Sequence, residues 1–219
     1  MGAASTGATG ESYAMDSRAM TAPSPLDLGV LVSGVGSNLQ AILDGIAAGT
    51  LNARVKVVIA NRPGAAALDR ARAVGVPALT IPHKDFTSRE AFDRALVSAL
   101  REAGVNWVVL AGFMRVLTPE FLSAYQGRII NIHPSLLPAF PGVDAPKQAL
   151  EYGVKLTGCT VHFVDQGVDS GKIIAQRAVP VQPADDLGSL AARIHAAEHE
   201  LFVDVLRDIA AGRVVPFEG

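Results

Sequence analysis

Apolar residues along the chain fall into short runs separated by amphipathic stretches, and the pattern becomes regular from about Leu26. Leu28 to Ser33 predicts a buried strand stopped by Gly34-Val35-Gly36, after which Ser37 or Asn38 is expected to cap a helix to about Ala48. Val55 to Ala60 predicts a second strand, ended by Asn61-Arg62-Pro63-Gly64, with a helix through about Val74 after it. Ala78 to Ile81 reads as a brief third strand. Ser88-Arg89-Glu90 opens a long helix to about Ala103, with Phe92, Leu96, Val97 and Leu100 on one face. Trp107 to Ala111 and Arg128 to Ile132 are the fourth and fifth strands, with a short helix from Pro119 to Tyr125 between them. Strands joined through helices by short connections predict a parallel sheet covered on both faces.

The rhythm changes after Pro138. Ala139-Phe140-Pro141-Gly142 is a turn-rich loop, and Ala145 to Tyr152 predicts a short helix. Thr157 to Val164 alternates, as does Ile173 to Val181, and with only a loop between them the two predict an antiparallel hairpin. A final helix is expected from about Leu187 to Ala211. The predicted fold class is therefore α/β: a Rossmann-like, mostly parallel sheet flanked by helices, with a C-terminal antiparallel hairpin and a long last helix. One domain is expected over residues 26–219, with 26–138 as its nucleotide-binding half.

Residues 1–25 are different in kind, being rich in Ala, Ser, Thr and Gly with no apolar periodicity. They lack the basic start and apolar core of a secretory signal and read as a disordered tail outside the fold. A chain of 219 residues that is 49% hydrophobic and 18% charged fits a globular enzyme with a large core. The formal charge of −2, with no run of Lys and Arg, gives no electrostatic case for nucleic acid. Cys159 is the one cysteine, which excludes an internal disulfide and any multi-cysteine zinc site and agrees with a reducing cytoplasm. No apolar run approaches the roughly 18 residues of a membrane span.

Two stretches carry candidate chemistry. Ser33-Gly34-Val35-Gly36-Ser37-Asn38 joins a strand to a helix, where backbone N–H groups and the helix N-terminus offer an anion site. A dinucleotide fingerprint would want a third glycine at Leu39 and an acidic residue where the second strand ends in Asn61-Arg62. Both are missing, so the loop suits a phosphate monoester better than NAD; a plain glycine turn remains the alternative. The second stretch, Ile129 to Pro138, ends a β-branched run in Asn131 and His133. A period of two puts both on one face at the carboxyl edge of a strand, where open parallel sheets bind ligands. An imidazole suits proton transfer and an amide can donate to an oxyanion. Asp169, in the loop Asp165-Gln166-Gly167-Val168-Asp169-Ser170-Gly171, is a candidate third member that would favour the imidazolium. A strand cap and a turn aspartate are the plainer readings of these residues.

Two further patterns are decoys. His195-Ala196-Ala197-Glu198-His199 fits the H-x-x-E-H of a zinc peptidase, but a third ligand is missing. Ser135 has no G-x-S-x-G setting, and Cys159 sits mid-strand as a core residue.

Taken together, the chain from about Leu28 to Val215 resembles the glycinamide ribonucleotide formyltransferase family. Four stretches carry the resemblance in the family's order. They are Ser33 to Ile42, Leu110-Ala111-Gly112-Phe113-Met114-Arg115-Val116-Leu117, Asn131-Ile132-His133-Pro134-Ser135-Leu136-Leu137-Pro138, and Val168-Asp169-Ser170-Gly171. The resemblance implies that Gly36, Ser37 and Asn38 hold the substrate phosphate and that Glu198 contacts its ribose or glycinamide portion. It implies a folate site lined by Arg89, Met114, Arg115, Val116, Leu117 and Asn131, closed by the loop Asp165, Gln166, Gly167, Val168 and Asp169, so that residues 139–219 form the folate and catalytic-loop half. Asn131, His133 and Asp169 would be the catalytic trio. The implied reaction moves a formyl group from the cosubstrate 10-formyltetrahydrofolate to the amine of glycinamide ribonucleotide, in purine synthesis, with no metal. The implied partners are these small molecules alone, with no nucleic acid or membrane, in a cytoplasmic monomer or homodimer. Two departures stand out: Lys172, where the family often has proline, would add a charge beside the folate loop, and Val143-Asp144-Ala145 replaces a stretch that often carries His.

Formylmethionyl-tRNA synthesis uses a similar central motif but adds an RNA-binding domain, which the few residues after the last helix do not suggest. Formyltetrahydrofolate hydrolases add an N-terminal regulatory domain, for which residues 1–25 leave little room. A non-catalytic folate or nucleotide binder has no need of Asn131, His133 and Asp169 together.

Overall fold

The computed structural model describes residues 24–217. The expected tail at 1–25 lies almost wholly outside them. Seven strands form one sheet: β1 (Leu26–Val32), β2 (Ala53–Ala60), β3 (Ala78–Thr80), β4 (Trp107–Leu110), β5 (Ile129–His133), β6 (Leu156–Phe163) and β7 (Ile173–Pro180). Their order is β3-β2-β1-β4-β5-β6-β7. The first five are parallel, and β6 and β7 are antiparallel to their neighbours. Among the described residues six α-helices accompany them: α1 (Ser37–Ala47), α2 (Ala66–Ala73), α3 (Arg89–Glu102), α4 (Pro119–Ala124), α5 (Ala145–Tyr152) and α6 (Leu187–Ala210). The architecture is the one expected from the hydrophobic pattern.

Alternation along the strands sorts the core into two layers. Leu28, Val30 and Val32 of β1 face a layer completed by Leu39 and Ile42 of α1 and by Phe202 and Leu206 of α6. Leu31 faces the other layer with Phe92, Leu96 and Leu100 of α3 and Phe121 of α4. In β2, Val55 and Val58 share one face although they are three apart. The register explains this: Leu28 pairs with Val55 but Gly29 with Val57, so Lys56 is the extra residue of a bulge.

Helix starts are set by local donors and acceptors. Ser88 caps α3 by accepting from the Ala91 N–H at 3.1 Å. Asp186 and Ser189 form a reciprocal capping box at the start of α6. The expected cap of α1 is corrected. Gly36, not Ser37 or Asn38, is the N-cap, in the left-handed region at φ 76°, and no side chain caps this helix. Ser37 and Asn38 are already helical, so the first-turn N–H groups stay open.

Candidate active site

β5 positions the central pair as the period of two requires. Ile130 and Ile132 enter the α6-side core, whereas Asn131 and His133 lie on the opposite face, which Ile129 shares. Pro134 then ends pairing at the carboxyl edge of the sheet.

Asp169 comes to this edge from the β6–β7 loop. Its Oδ2 lies 3.2 Å from His133 Nδ1 and accepts from the Gly142 N–H at 2.8 Å. Its Oδ1 accepts from Asn131 Nδ2 at 3.4 Å. The carboxylate thus reaches the imidazole directly. Asp169 adopts φ 52° and Phe140, in the facing loop, φ 53°. Left-handed backbone in non-glycine residues is uncommon and tends to be kept where a side chain must be aimed. Burial works to raise the Asp169 pKa. The hydrogen bond from His162, the Gly142 N–H and the charges of His133 and His162 outweigh it and hold the carboxyl below the usual range.

His133 Nε2 lies 2.8 Å from the Phe140 carbonyl. Both ring nitrogens therefore face acceptors, the Asp169 carboxylate at Nδ1 and the Phe140 carbonyl at Nε2.

His162 is the site residue that sequence reasoning missed. β6 pairs Asn131 with His162 and His133 with Thr160. His162 Nδ1 lies 2.7 Å from the Phe163 carbonyl, and Nε2 lies 3.1 Å from Asn131 Nδ2 and 3.6 Å from Asp169 Oδ1. The signal was present in the alternation of β6, which sends Thr160 and His162 to the face opposite Cys159 and Val161. Only the register against β5 turns that alternation into a contact.

A cleft of about 430 Å³ opens beside these groups. Its walls include Met114, Arg115, Val116 and Leu117 on one side and Asp165, Gly167 and Val168 on the other, with Asn131, His133, His162 and Asp169 at its floor. Of the residues expected to form a folate site, Arg89 and Gln166 do not line the cleft. Arg89 instead donates to the Val116 carbonyl at 2.9 Å and so supports one wall. Val143 and Asp144 do line it. Lys172 turns elsewhere: its ammonium sits 4.8 Å over the Phe217 ring, which answers the charge expected beside the loop.

The glycine loop adjoins this cleft through Ser33, whose Oγ accepts from the Met114 N–H at 2.9 Å. Close approach to α2 sets its shape. A Cβ on Gly36 would meet the Ala67 side chain at 2.5 Å and its Cα at 2.8 Å. We predict that Gly36→Ala costs about 2 kcal/mol from the left-handed backbone and this overlap together. Thermal unfolding should drop by roughly 4–8 °C. An unchanged Tm would show that the loop accommodates a side chain.

Glu198 of α6 meets the loop from the other side. It is buried, and its Oε2 accepts from Asn38 Nδ2 at 3.3 Å. Burial raises its pKa to about 7, against the lowering effect of the Asn38 hydrogen bond. Asn38 Oδ1 is buried without a partner, an open acceptor for a donor from a protonated Glu198 or a bound hydroxyl. Among the described residues no cluster of three or more His, Cys, Asp or Glu is placed to hold a metal ion. Burial pushes the Cys159 thiol up to about 12, and Ser135 Oγ donates to the Ala139 carbonyl at 2.5 Å. Neither is set up as a nucleophile. No helix among the described residues is long and apolar enough to cross a membrane.

Comparison with known proteins was informative at three levels. A family described as formyl transferase matches residues 27–206. The chain is 53% identical over 185 residues to the trifunctional purine biosynthetic protein adenosine-3 of Drosophila melanogaster, covering 84% of this chain and 14% of that protein. It is 41% identical over 180 residues to the phosphoribosylglycinamide formyltransferase of Bacillus subtilis, covering 82% of this chain and 92% of that one. Among solved structures, glycinamide ribonucleotide transformylase 1 from Symbiobacterium toebii superposes with a TM-score of 0.86 at 52% identity, over 89% of this chain and 92% of that one. The chain thus spans less than a fifth of the trifunctional animal proteins, at 14–19% of their length, but 92% of the Bacillus subtilis protein.

Proposed function

This chain belongs to the formyl transferase family, and within it to the phosphoribosylglycinamide formyltransferases, and from that premise we propose how its site carries the reaction. The donor is 10-formyltetrahydrofolate, held in the cleft between the Met114–Leu117 and Asp165–Asp169 walls. The acceptor is glycinamide ribonucleotide, its phosphate on the open N–H groups at Gly36, Ser37 and Asn38 and its ribose at Glu198. The observation that carries this reading is the convergence of Asn131, His133 and Asp169 at the floor of the cleft.

The glycinamide amine attacks the formyl carbon, forming a C–N bond and a tetrahedral oxyanion. Asn131 donates to that oxygen once one of its two N–H groups leaves His162 Nε2 or Asp169 Oδ1, and His133, held in place by Asp169, faces the same oxygen as a second donor. Direct donation from His133 Nε2 requires it to exchange the Phe140 carbonyl for the substrate oxygen. The C–N10 bond then breaks; the amine gives up one proton and N10 takes one, so tetrahydrofolate leaves. Asp169 and His162, both facing this floor, are the groups that manage the proton.

Purified protein is expected to release tetrahydrofolate from 10-formyltetrahydrofolate only when glycinamide ribonucleotide is present. Release that is independent of the acceptor would favour a hydrolase and overturn the proposal.

A further inference from the structure

The acceptor side of the glycine loop is occupied at every carbonyl. Arg62 Nε donates to the Ser33 carbonyl. The Ala67 N–H donates to the Gly34 carbonyl at 3.1 Å, and Arg70 Nε to the Val35 carbonyl at 2.9 Å. The Gly36 carbonyl accepts from the Gln40 N–H at 3.0 Å within the first turn of α1. Three successive loop carbonyls are thus held by the β2–α2 turn and α2, two of them by arginines. In a trans peptide the C=O and the following N–H point opposite ways, so these three contacts turn the N–H groups of Gly34, Val35 and Gly36 away from α2, and the last of them is the first of the proposed phosphate donors.

The arginines also bring charge. A Cβ on Gly34 would lie 3.6 Å from Arg62 Nη2, so the guanidinium rests against the loop itself. Arg70 Nη1 continues to Gln40 Oε1 at 3.1 Å, and Gln40 Nε2 to Asp44 at 2.8 Å. Among the described residues neither guanidinium has a carboxylate within ion-pair distance. Arg72, two residues on, does pair with Asp69, at 2.8 Å. Two uncompensated cations that grip loop carbonyls are poorly explained as surface ion pairs. Resting the loop on α2 needs only the Ala67 contact and the small residue at 36.

The geometry points to Arg62 and Arg70 as positioning residues for the substrate phosphate: they aim the loop N–H groups and add positive potential behind them. This rests on the phosphate reading of the loop given above. Their action is through the loop rather than by touching the reacting atoms, so the effect belongs to binding of the phosphorylated substrate and not to the chemical step. It should also follow the phosphate, not the glycinamide or the ribose.

The test compares glycinamide ribonucleotide with its dephosphorylated riboside, by calorimetric binding in the absence of folate and by KM and kcat in its presence. Wild-type protein is expected to prefer the phosphorylated ligand strongly. Arg62→Ala and Arg70→Ala should each weaken ribonucleotide binding about 10-fold, the scale of one charge-assisted hydrogen bond. Riboside binding, the KM for folate and kcat should stay within about twofold; Arg62→Lys, which keeps a cationic donor, should recover part of the loss, and Arg70→Lys less, because one ammonium does not serve both the Val35 carbonyl and Gln40. If an alanine variant does not fold, Arg62→Gln and Arg70→Gln, which keep a neutral donor, read the same preference and should show a smaller loss. Variants that keep the full wild-type preference, or lose both ligands equally, overturn the positioning role. A wild type that binds the two ligands alike removes the phosphate reading itself, and with it this inference.

Discussion

Asp169→Asn is expected to lower kcat by roughly 100-fold or more, the range seen when a group that holds an acid–base pair or an oxyanion partner is removed. The side chain is isosteric, and asparagine tolerates the left-handed backbone that Asp169 occupies at φ 52°. The fold and the loop should therefore survive. What changes is charge and donor count. Asp169 Oδ2 serves both His133 Nδ1 and the Gly142 N–H. An asparagine oxygen can keep the Gly142 contact, but it puts no negative charge beside His133 Nδ1. Placing the amide nitrogen there instead sets donor against donor. The loss should appear in kcat with a KM for the ribonucleotide close to wild type, because the phosphate and ribose contacts proposed above lie on α1 and α6. Near-normal turnover in a folded Asp169→Asn protein would remove Asp169 from the proposed trio.

What was legible from residue order alone follows from which interactions are local. The face shared by Asn131 and His133 needs only the two-residue period of a strand, and the sheet needs only alternation of strand and helix. Asp169 entered as a loop residue whose chemistry matched, and chain order could not say whether it met His133 directly. His162 was harder. It sits in a strand that alternates, but its meeting with Asn131 depends on the antiparallel register of β5 and β6 across 31 residues of sequence. The cap of α1 was misplaced because Ser37 and Asn38 are good cap residues by type. Packing of Gly36 against Ala67 decides the matter from a different helix. The Lys56 bulge was invisible for the same reason, since it is a property of how β2 pairs with β1. The contacts of long side chains are likewise set by tertiary packing: Arg89 donates to the Val116 carbonyl in one wall of the cleft, and Lys172 covers Phe217.

Glu198→Gln is expected to make the protein more stable above neutral pH and less able to hold its ribonucleotide. The wild-type carboxyl has its folded-state pKa raised from 4.5 to about 7, chiefly by burial. For an acid the sign is as follows. Below pH 4.5 the group is protonated whether the chain is folded or not, and it contributes no penalty. As pH rises from there towards 7, the unfolded chain ionises while the folded one resists, so stability falls across that window and then levels off. A shift of this size corresponds to about 3 kcal/mol at most, and it is smaller if water reaches the site. Glutamine keeps the shape and can still accept from Asn38 Nδ2, but it has no charge to bury. The variant should therefore match wild type in Tm near pH 4.5 and exceed it by roughly 5–10 °C at pH 8. A Tm difference that does not grow between pH 4.5 and 8 would show that Glu198 titrates normally. The same substitution should raise the KM for glycinamide ribonucleotide, since an ionised Glu198 is the stronger acceptor for a ribose hydroxyl. The cost of burying that charge, already reduced by Asn38, is offset further when a hydroxyl donates to it. A buried carboxyl that ionises at a cost and gains a donor from a bound hydroxyl is consistent with the ribose contact proposed for Glu198.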